Sequence, residues 1–300
     1  MSAAPLKLVV CGGNGFLGSR ICKFAVARGW DNSNGEEDNT NPKIQSRSGE
    51  PKWASVTASD TPPIWAHEVR WERADVLKPT TYTPLLKQAD CVVHSLGILL
   101  EVDYKGVISG TESPLTGIRR AFSLSKAGSQ NPLTRGENED LQSQEKDGQI
   151  TYELMNRDTA ITLAKEAAKE NVPVFAYISA AGGAPILPRR YITTKREAES
   201  TISSEFPLMR SVFFRPGFLY NSSRLFTIPL AALTAAGATF NSLSRGLFSS
   251  IMGAAGTKPL DADVVAEALI EALSDKNVKG PVEVKEIEEL AQKAWRNGML

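Results

Sequence analysis

The sequence predicts a doubly wound α/β fold, a mainly parallel sheet with helices on both faces and a small C-terminal lobe. Three observations carry that expectation. Short apolar runs alternate with amphipathic stretches along most of the chain, the pattern that builds β–α–β crossovers. The first apolar run, 6–11, passes directly into a glycine-rich turn, GGNGFLG at 12–18. The 300 residues, 42% hydrophobic and 23% charged, can bury a sizeable core.

Taken in order, 6–11 (LKLVVC) reads as a buried strand, 16–28 as a helix, 69–73 as a strand and 80–88 as a short helix. Residues 91–94 (CVVH) form the next strand, 152–170 a helix of regular apolar period, and 174–179 another strand. Residues 190–203 are helical, 211–215 a strand, 262–274 a helix, and 282–285 a last strand with a helix after it. This is a Rossmann-type succession, with a nucleotide-binding domain over 1–220 and a lobe for substrate or partner over 221–300.

Two stretches break the rhythm. Residues 31–41 (DNSNGEEDNTN) are polar and acidic where a second strand should follow the first helix, and only Ile44 supplies a strand-like apolar residue before Arg47. Two readings stand: a surface insertion over 31–43, or a piece retained when the coding sequence was assembled. The second stretch, 104–150, is rich in Ser, Gly, Asn and Glu from 109 onward and reads as a long surface loop.

Composition narrows the function. Thirty-four basic and 34 acidic side chains cancel, so no whole-molecule field favours nucleic acid. Cys11, Cys22 and Cys91 read as reduced thiols, and neither His67 nor His94 has a second His or Cys at metal-ligand spacing, so no metal site is expected. The longest apolar tract, 225–256, is interrupted by Pro229, Asn241 and Arg245, which argues against a membrane span. The early first strand leaves no visible room for a cleavable presequence.

Gly12, Gly15 and Gly18 form G-x-x-G-x-x-G, with Asn14, Phe16 and Leu17 supplying the main chain between them. The first glycine permits a tight turn, the second lets backbone approach a pyrophosphate, and the third lets helix pack on strand. Amides at the helix start then face the phosphates. Nicotinamide dinucleotide binding is the expectation. Ser46-Arg47-Ser48-Gly49 offers no acid for a ribose diol, which slightly favours NADP(H) over NAD(H), with Arg47 at the 2′-phosphate, stacked on the adenine, or simply solvated. Asp75 and Val76 follow the third strand, placed either to meet the adenine amino group or to cap the next helix. Ser95, Leu96 and Gly97 follow the fourth strand, small enough for a cofactor to pass.

Tyr191 and Lys195 share one helix face at i and i+4. A lysine there lowers the tyrosine pKa and binds the nicotinamide ribose, while the tyrosine exchanges a proton with a substrate hydroxyl or carbonyl. Ser179 ends the preceding strand, 12 residues earlier, placed to polarise the same oxygen or to cap the strand. Pro216, Gly217 and Phe218 follow the next strand, where a nicotinamide would sit.

Together GGNGFLG, Tyr191/Lys195 and RPGF resemble the extended or atypical short-chain dehydrogenase/reductase superfamily over nearly the whole chain. The phrases VHSLGILLE (93–101), TYELMN (151–156), YISA (177–180) and the KREAE that follows Tyr191-Ile192 (195–199) are similar to its fungal mitochondrial coenzyme Q biosynthesis members, a group related to the NAD(P)-binding accessory subunit of respiratory complex I. That resemblance implies a peripheral protein on the matrix side of the inner mitochondrial membrane. It also implies association with the quinone-synthesising complex and, as substrate, a polyprenylated ring intermediate. AAGG at 180–183 departs from the usual dehydrogenase phrase, so two roles stay open: an oxidoreductase, or a noncatalytic nucleotide-binding scaffold of the complex. The superfamily alone adds a soluble sugar-nucleotide epimerase or reductase.

Overall fold

The computed structural model describes residues 6–30, 43–46, 49–57, 59–98, 131–136, 139–142, 150–182, 189–221 and 258–298. Arg47, the polar stretch 31–42, most of the long loop (99–130 and 143–149) and the apolar tract 225–256 lie outside the described residues.

β1 (Leu8–Cys11) leads into α1 (Gly18–Ala27), followed by β2 (Lys43–Ser46), the short α2 (Trp53–Val56), a 3-10 turn at Ile64–Glu68 and β3 (Arg70–Arg73). A 3-10 turn at Pro79–Thr81 and α3 (Thr83–Leu86) return the chain to β4 (Cys91–His94). A π-helical turn, Glu153–Asp158, runs into α4 (Thr159–Lys169), then come β5 (Val174–Ile178), α5 (Arg189–Glu205) and β6 (Arg210–Phe214). β7 (Leu219–Tyr220) and β8 (Leu260–Asp261) pair with each other, and α6 (Ala262–Ser274), β9 (Gly280–Val282) and α7 (Val284–Gly298) follow.

Seven parallel strands lie in the order β3-β2-β1-β4-β5-β6-β9. This is the Rossmann arrangement extended by one strand, and the direction of winding reverses between β1 and β4. Cys11 is in register with His94, and His94 with Tyr177, so the carboxyl ends of β1, β4 and β5 finish level. Side chains alternate between two cores, as they must in a sheet covered on both faces. Leu8, Val10, Val93, Ala176 and Phe214 pack toward α1, α6 and α7, whereas Val9, Val92, Phe175 and Phe213 pack toward α3, α4 and α5.

Three expectations shift. The second strand, for which the sequence offers one apolar residue, is present: Ile44 pairs with Val10 on one side and Trp71 on the other. Ladder hydrogen bonds come from the backbone, so polar side chains do not prevent them. The helix expected over 80–88 is shortened to Thr83–Leu86 behind a 3-10 turn, because Pro79 and Pro84 remove backbone donors. The last strand is Gly280–Val282 rather than 282–285. Val284 and Lys285 already belong to α7, whose start is fixed by the Glu286 carboxylate accepting the Glu283 N–H at 2.8 Å. The alternating VEVK pattern loses to the helical spacing of Ile287, Ala291 and Ala294, all buried.

Candidate functional site

The site begins where β1 ends. Gly12 takes φ +92°, and a Cβ there would lie 2.8 Å from Ser95 Oγ and 2.9 Å from a Leu96 methyl. The Gly15 N–H closes the turn on the Gly12 carbonyl at 2.9 Å. At Gly18, the first residue of α1, a Cβ would lie 2.1 Å from that same carbonyl oxygen, so only glycine lets the helix start this close to the strand. No acidic side chain occupies the first turn of α1, which leaves its positive partial charge uncompensated from within that turn. Asn14 and Phe16 stay partly exposed on the turn, and Leu17 is buried beneath it.

Ser95 docks the exit of β4 on this turn: its hydroxyl and its N–H both donate to the Cys11 carbonyl at 2.9 Å. Leu96 packs against the α4/α5 core, and at Gly97 a Cβ would sit 3.2 Å from Asn156 Oδ1 and 3.5 Å from Lys195 Nζ. The segment 95–97 therefore runs from the glycine turn to the lysine. Main chain without a side chain at both ends of that path suits an elongated, flat ligand.

Lys195 is buried, donates to the Ile178 carbonyl at 3.0 Å, and lies 5.1 Å from the centroid of Tyr177 and 5.7 Å from that of Tyr191. Burial lowers its pKa to about 7, against the pull of the Glu199 carboxylate, which raises it. Tyr191 stacks edge-on against Tyr152 at 5.8 Å, and burial pushes its phenol up to about 12. This corrects the expectation that Lys195 lowers the tyrosine pKa. Desolvation of the phenolate prevails, the lysine is itself only partly charged near neutrality, and the charge that draws Tyr191 downward is Arg196.

Arg196 reorganises the rest of the site. It donates to Ser179 Oγ at 2.9 Å, to the Ala180 carbonyl at 2.7 Å and to Glu199 Oε1 at 2.7 Å. Ser179 is buried, and its N–H bonds the Phe214 carbonyl at 2.7 Å, so it also terminates β5 as a strand-end residue. Glu199 is bridged in turn by Arg215, which reaches Glu283. Pro216 accepts the Ala181 N–H at 2.8 Å and Phe218 the Leu260 N–H at 2.9 Å, with Gly217 between, so this segment joins the Ser179 loop to β8.

On the other side of the switch point, Asp75 Oδ1 accepts the Leu77 N–H at 3.1 Å, while Thr81 Oγ1 accepts the Asp75 N–H at 3.0 Å. One carboxylate oxygen thus caps the turn after β3, close to the capping alternative, although the turn precedes the 3-10 helix. The Val76 side chain is in the core.

Sequence reasoning missed Asn156 and Arg196 as site residues. Asn156 sits fully buried in the π-helical turn, accepting the Ile98 N–H at 3.0 Å and returning its own amide to the Ile98 carbonyl at 3.4 Å. It holds Gly97 in place. In the sequence it stands as the last residue of TYELMN, a polar amide with no role marked. His94 is also buried. The Thr159 hydroxyl donates to Met155 at 2.9 Å and so accepts from His94 Nε2 at 2.9 Å. Burial lowers the His94 pKa to about 3. Cys11, Cys22 and Cys91 are free, buried thiols. Among the described residues no cluster has a metal-ligand composition.

No family model matches the chain. MIOREX complex component 2 of Saccharomyces cerevisiae is 38% identical over 231 residues, covering 73% of this chain and 74% of the relative. The chain belongs to the family of that yeast protein. An uncharacterized chloroplastic protein of Arabidopsis thaliana is 27% identical over 299 residues, covering 96% of this chain and 78% of its own. Among solved structures, the UDP-glucuronic acid 4-epimerase of Bacillus cereus in complex with NAD has a TM-score of 0.52 at 15% identity, over 93% of this chain and 77% of that one. The UDP-N-acetylglucosamine 4-epimerase of Methanobrevibacter ruminantium has the same TM-score at 14% identity, over 94% and 77%. These likenesses bear on fold alone. The chain shares the Rossmann-type fold of these epimerases.

Proposed function

We propose that this protein is a nicotinamide-dinucleotide-binding component of a mitochondrial assembly, acting in coenzyme Q biosynthesis on a polyprenylated ring intermediate. One observation carries the nucleotide reading: Gly97 lies beneath Lys195 Nζ at one end of a strand exit whose other end, Ser95, is docked on the glycine turn. The residues fit an extended dinucleotide: a Cβ at Gly12 would meet Ser95 and Leu96 and one at Gly18 the Gly12 carbonyl, so the turn presents bare main chain. The diphosphate would rest on the main chain of 12–18, the adenosine near Asp75 and Val76, and the nicotinamide ribose by Lys195 and Pro216–Phe218. A bound nicotinamide supplies or takes a hydride. Tyr191, neutral at physiological pH, holds the proton for a substrate oxygen, and Ser179 steadies that oxygen. NADP(H) is preferred to NAD(H), for want of an acid after β2.

Membership in a complex draws support from the yeast relative, a component of the MIOREX complex. The coenzyme Q role, the matrix face of the inner membrane and the binding of quinone-complex proteins draw theirs from the motif phrases at 93–101, 151–156, 177–180 and 191–199. No described helix is long and apolar enough to cross a membrane. Contact with the lipid is peripheral in this reading, through the lobe over 221–300.

A noncatalytic scaffold is the second reading. It is favoured by Arg196, which engages the Ser179 hydroxyl, and by the raised pKa of Tyr191. Replacing Tyr191 by Phe separates the two. An enzyme loses quinone production in cells carrying only the variant, although the purified variant keeps its NADH affinity within about twofold. A scaffold retains both.

A further inference from the structure

Arg20, just inside α1, is the residue on which four separate elements converge. Its guanidinium lies 4.4 Å from the centroid of the Phe16 ring and donates to the Phe16 carbonyl at 2.6 Å, within the glycine turn. It reaches the Val56 carbonyl at 3.4 Å, in α2 beyond β2. It donates to Asn221 Oδ1 at 2.8 Å, directly after β7, and pairs with Asp263 at 2.9 Å in the first turn of α6. The arginine side chain is 7% exposed, and its bonds to Val56 and Asn221 are made away from water. Asn221 passes the connection on to Asp261 at 3.2 Å, and Asp261 Oδ1 caps α6 by accepting the Asp263 N–H at 2.7 Å.

The donors of Arg20 are taken up by Asp263, which Lys23 also pairs at 3.1 Å, and by the Phe16, Val56 and Asn221 oxygens, which marks the arginine as a brace for the turn rather than a partner for phosphate. A fork with several fixed donors transmits position well, because moving one acceptor forces the others to yield. We propose that Arg20 is a positioning residue that couples the diphosphate-binding turn to the β7–β8 segment, so that dinucleotide binding and the packing of Asn221 and Asp263 reinforce each other. The coupling rests on the nucleotide reading given above. Linkage makes it reciprocal: loosening the β7–β8 side weakens nucleotide binding, and nucleotide binding tightens that side.

The test uses the full chain and NADH as the probe, titrated by nicotinamide fluorescence. Asn221→Ala is expected to weaken NADH binding about fivefold or more. Arg20→Met is expected to weaken it at least as much, and the double variant no further, because both act through one contact. A structural role alone would lower the melting temperature of the free protein without this non-additivity. An unchanged Kd in a folded Asn221→Ala variant overturns the coupling, as does a double variant whose loss is the product of the two. Hydrogen exchange on the unsubstituted protein keeps the test open if a variant does not fold. Saturating NADH should slow exchange at the amides of Leu260 and Asp263, and equal rates overturn the proposal. If the unsubstituted protein binds no NADH, the nucleotide reading itself fails, and the coupling falls with it.

Discussion

The two halves of the site are built from different material. The glycine turn at 12–18 works through backbone and through the absence of side chains, and its contacts are set by geometry that does not titrate. The half around α5 works through polar side chains, the buried Lys195, Ser179 and Glu199 and the half-buried Arg196, and burial displaces the charge of Lys195. A backbone site is broken by bulk and indifferent to pH. A side-chain site tolerates bulk poorly too, but it also carries a pH signature.

The largest effect is expected at Gly18. Gly18→Val places carbon 2.1 Å from the Gly12 carbonyl, so the turn and helix must separate. NADH affinity should fall by about a hundredfold or more and the melting temperature should drop, by about the same amount at every pH tested. A variant that binds normally would show that the turn is only structural.

Next is Lys195→Met. Loss of a hydrogen bond from a charged group to the ligand should weaken NADH binding about tenfold. Its stability has a sign that can be checked. The folded pKa of Lys195, about 7, is below its ordinary value of 10.5, so the unfolded chain holds the extra proton between those values. The native protein therefore gains stability from this residue as pH rises from about 7 to 10.5, and Lys195→Met loses that slope. Thermal melts of both proteins across the window should show the variant gaining on the parent as the pH is lowered. Parallel curves would mean that folding does not lower the pKa of Lys195.

The smallest effect is at His94, whose ring packs against Tyr177. Its folded pKa of about 3, against an ordinary 6.5, means that stability is lost as pH falls from about 6.5 toward 3, because the unfolded chain takes up a proton that the buried ring refuses. His94→Gln should flatten acid melts in that window and leave NADH binding unchanged. Curves that stay superimposed with the parent would contradict this.

The same contrast explains what could be read from the sequence. The glycine turn was legible because its spacing leaves a mark that chance seldom makes, and β1, β4 and β5 were legible because buried parallel strands are continuous apolar runs. Tyr191 and Lys195 were legible as a spacing, yet the electrostatics between them were not. Desolvation depends on what packs around α5, including Tyr152 from a distant turn. Asn156 and Arg196 stood inside the phrases TYELMN and KREAE without a legible role, because their partners, Ile98 and Ser179, are 58 and 17 residues away. The second strand was obscured because its pairing is made by backbone beside β1 and β3, with side chains that give no period. The strand placed at 282–285 failed for the opposite reason, since a two-residue alternation there lies on the first turn of a helix.

Isothermal titration of the purified chain with NADH, and separately with NADPH, tests the central claim most directly. The account predicts saturable binding at one site, with a Kd on the order of micromolar, tighter for NADPH, and abolished in Gly18→Val. No heat and no thermal protection with either nucleotide, in a protein shown to be folded, would contradict it.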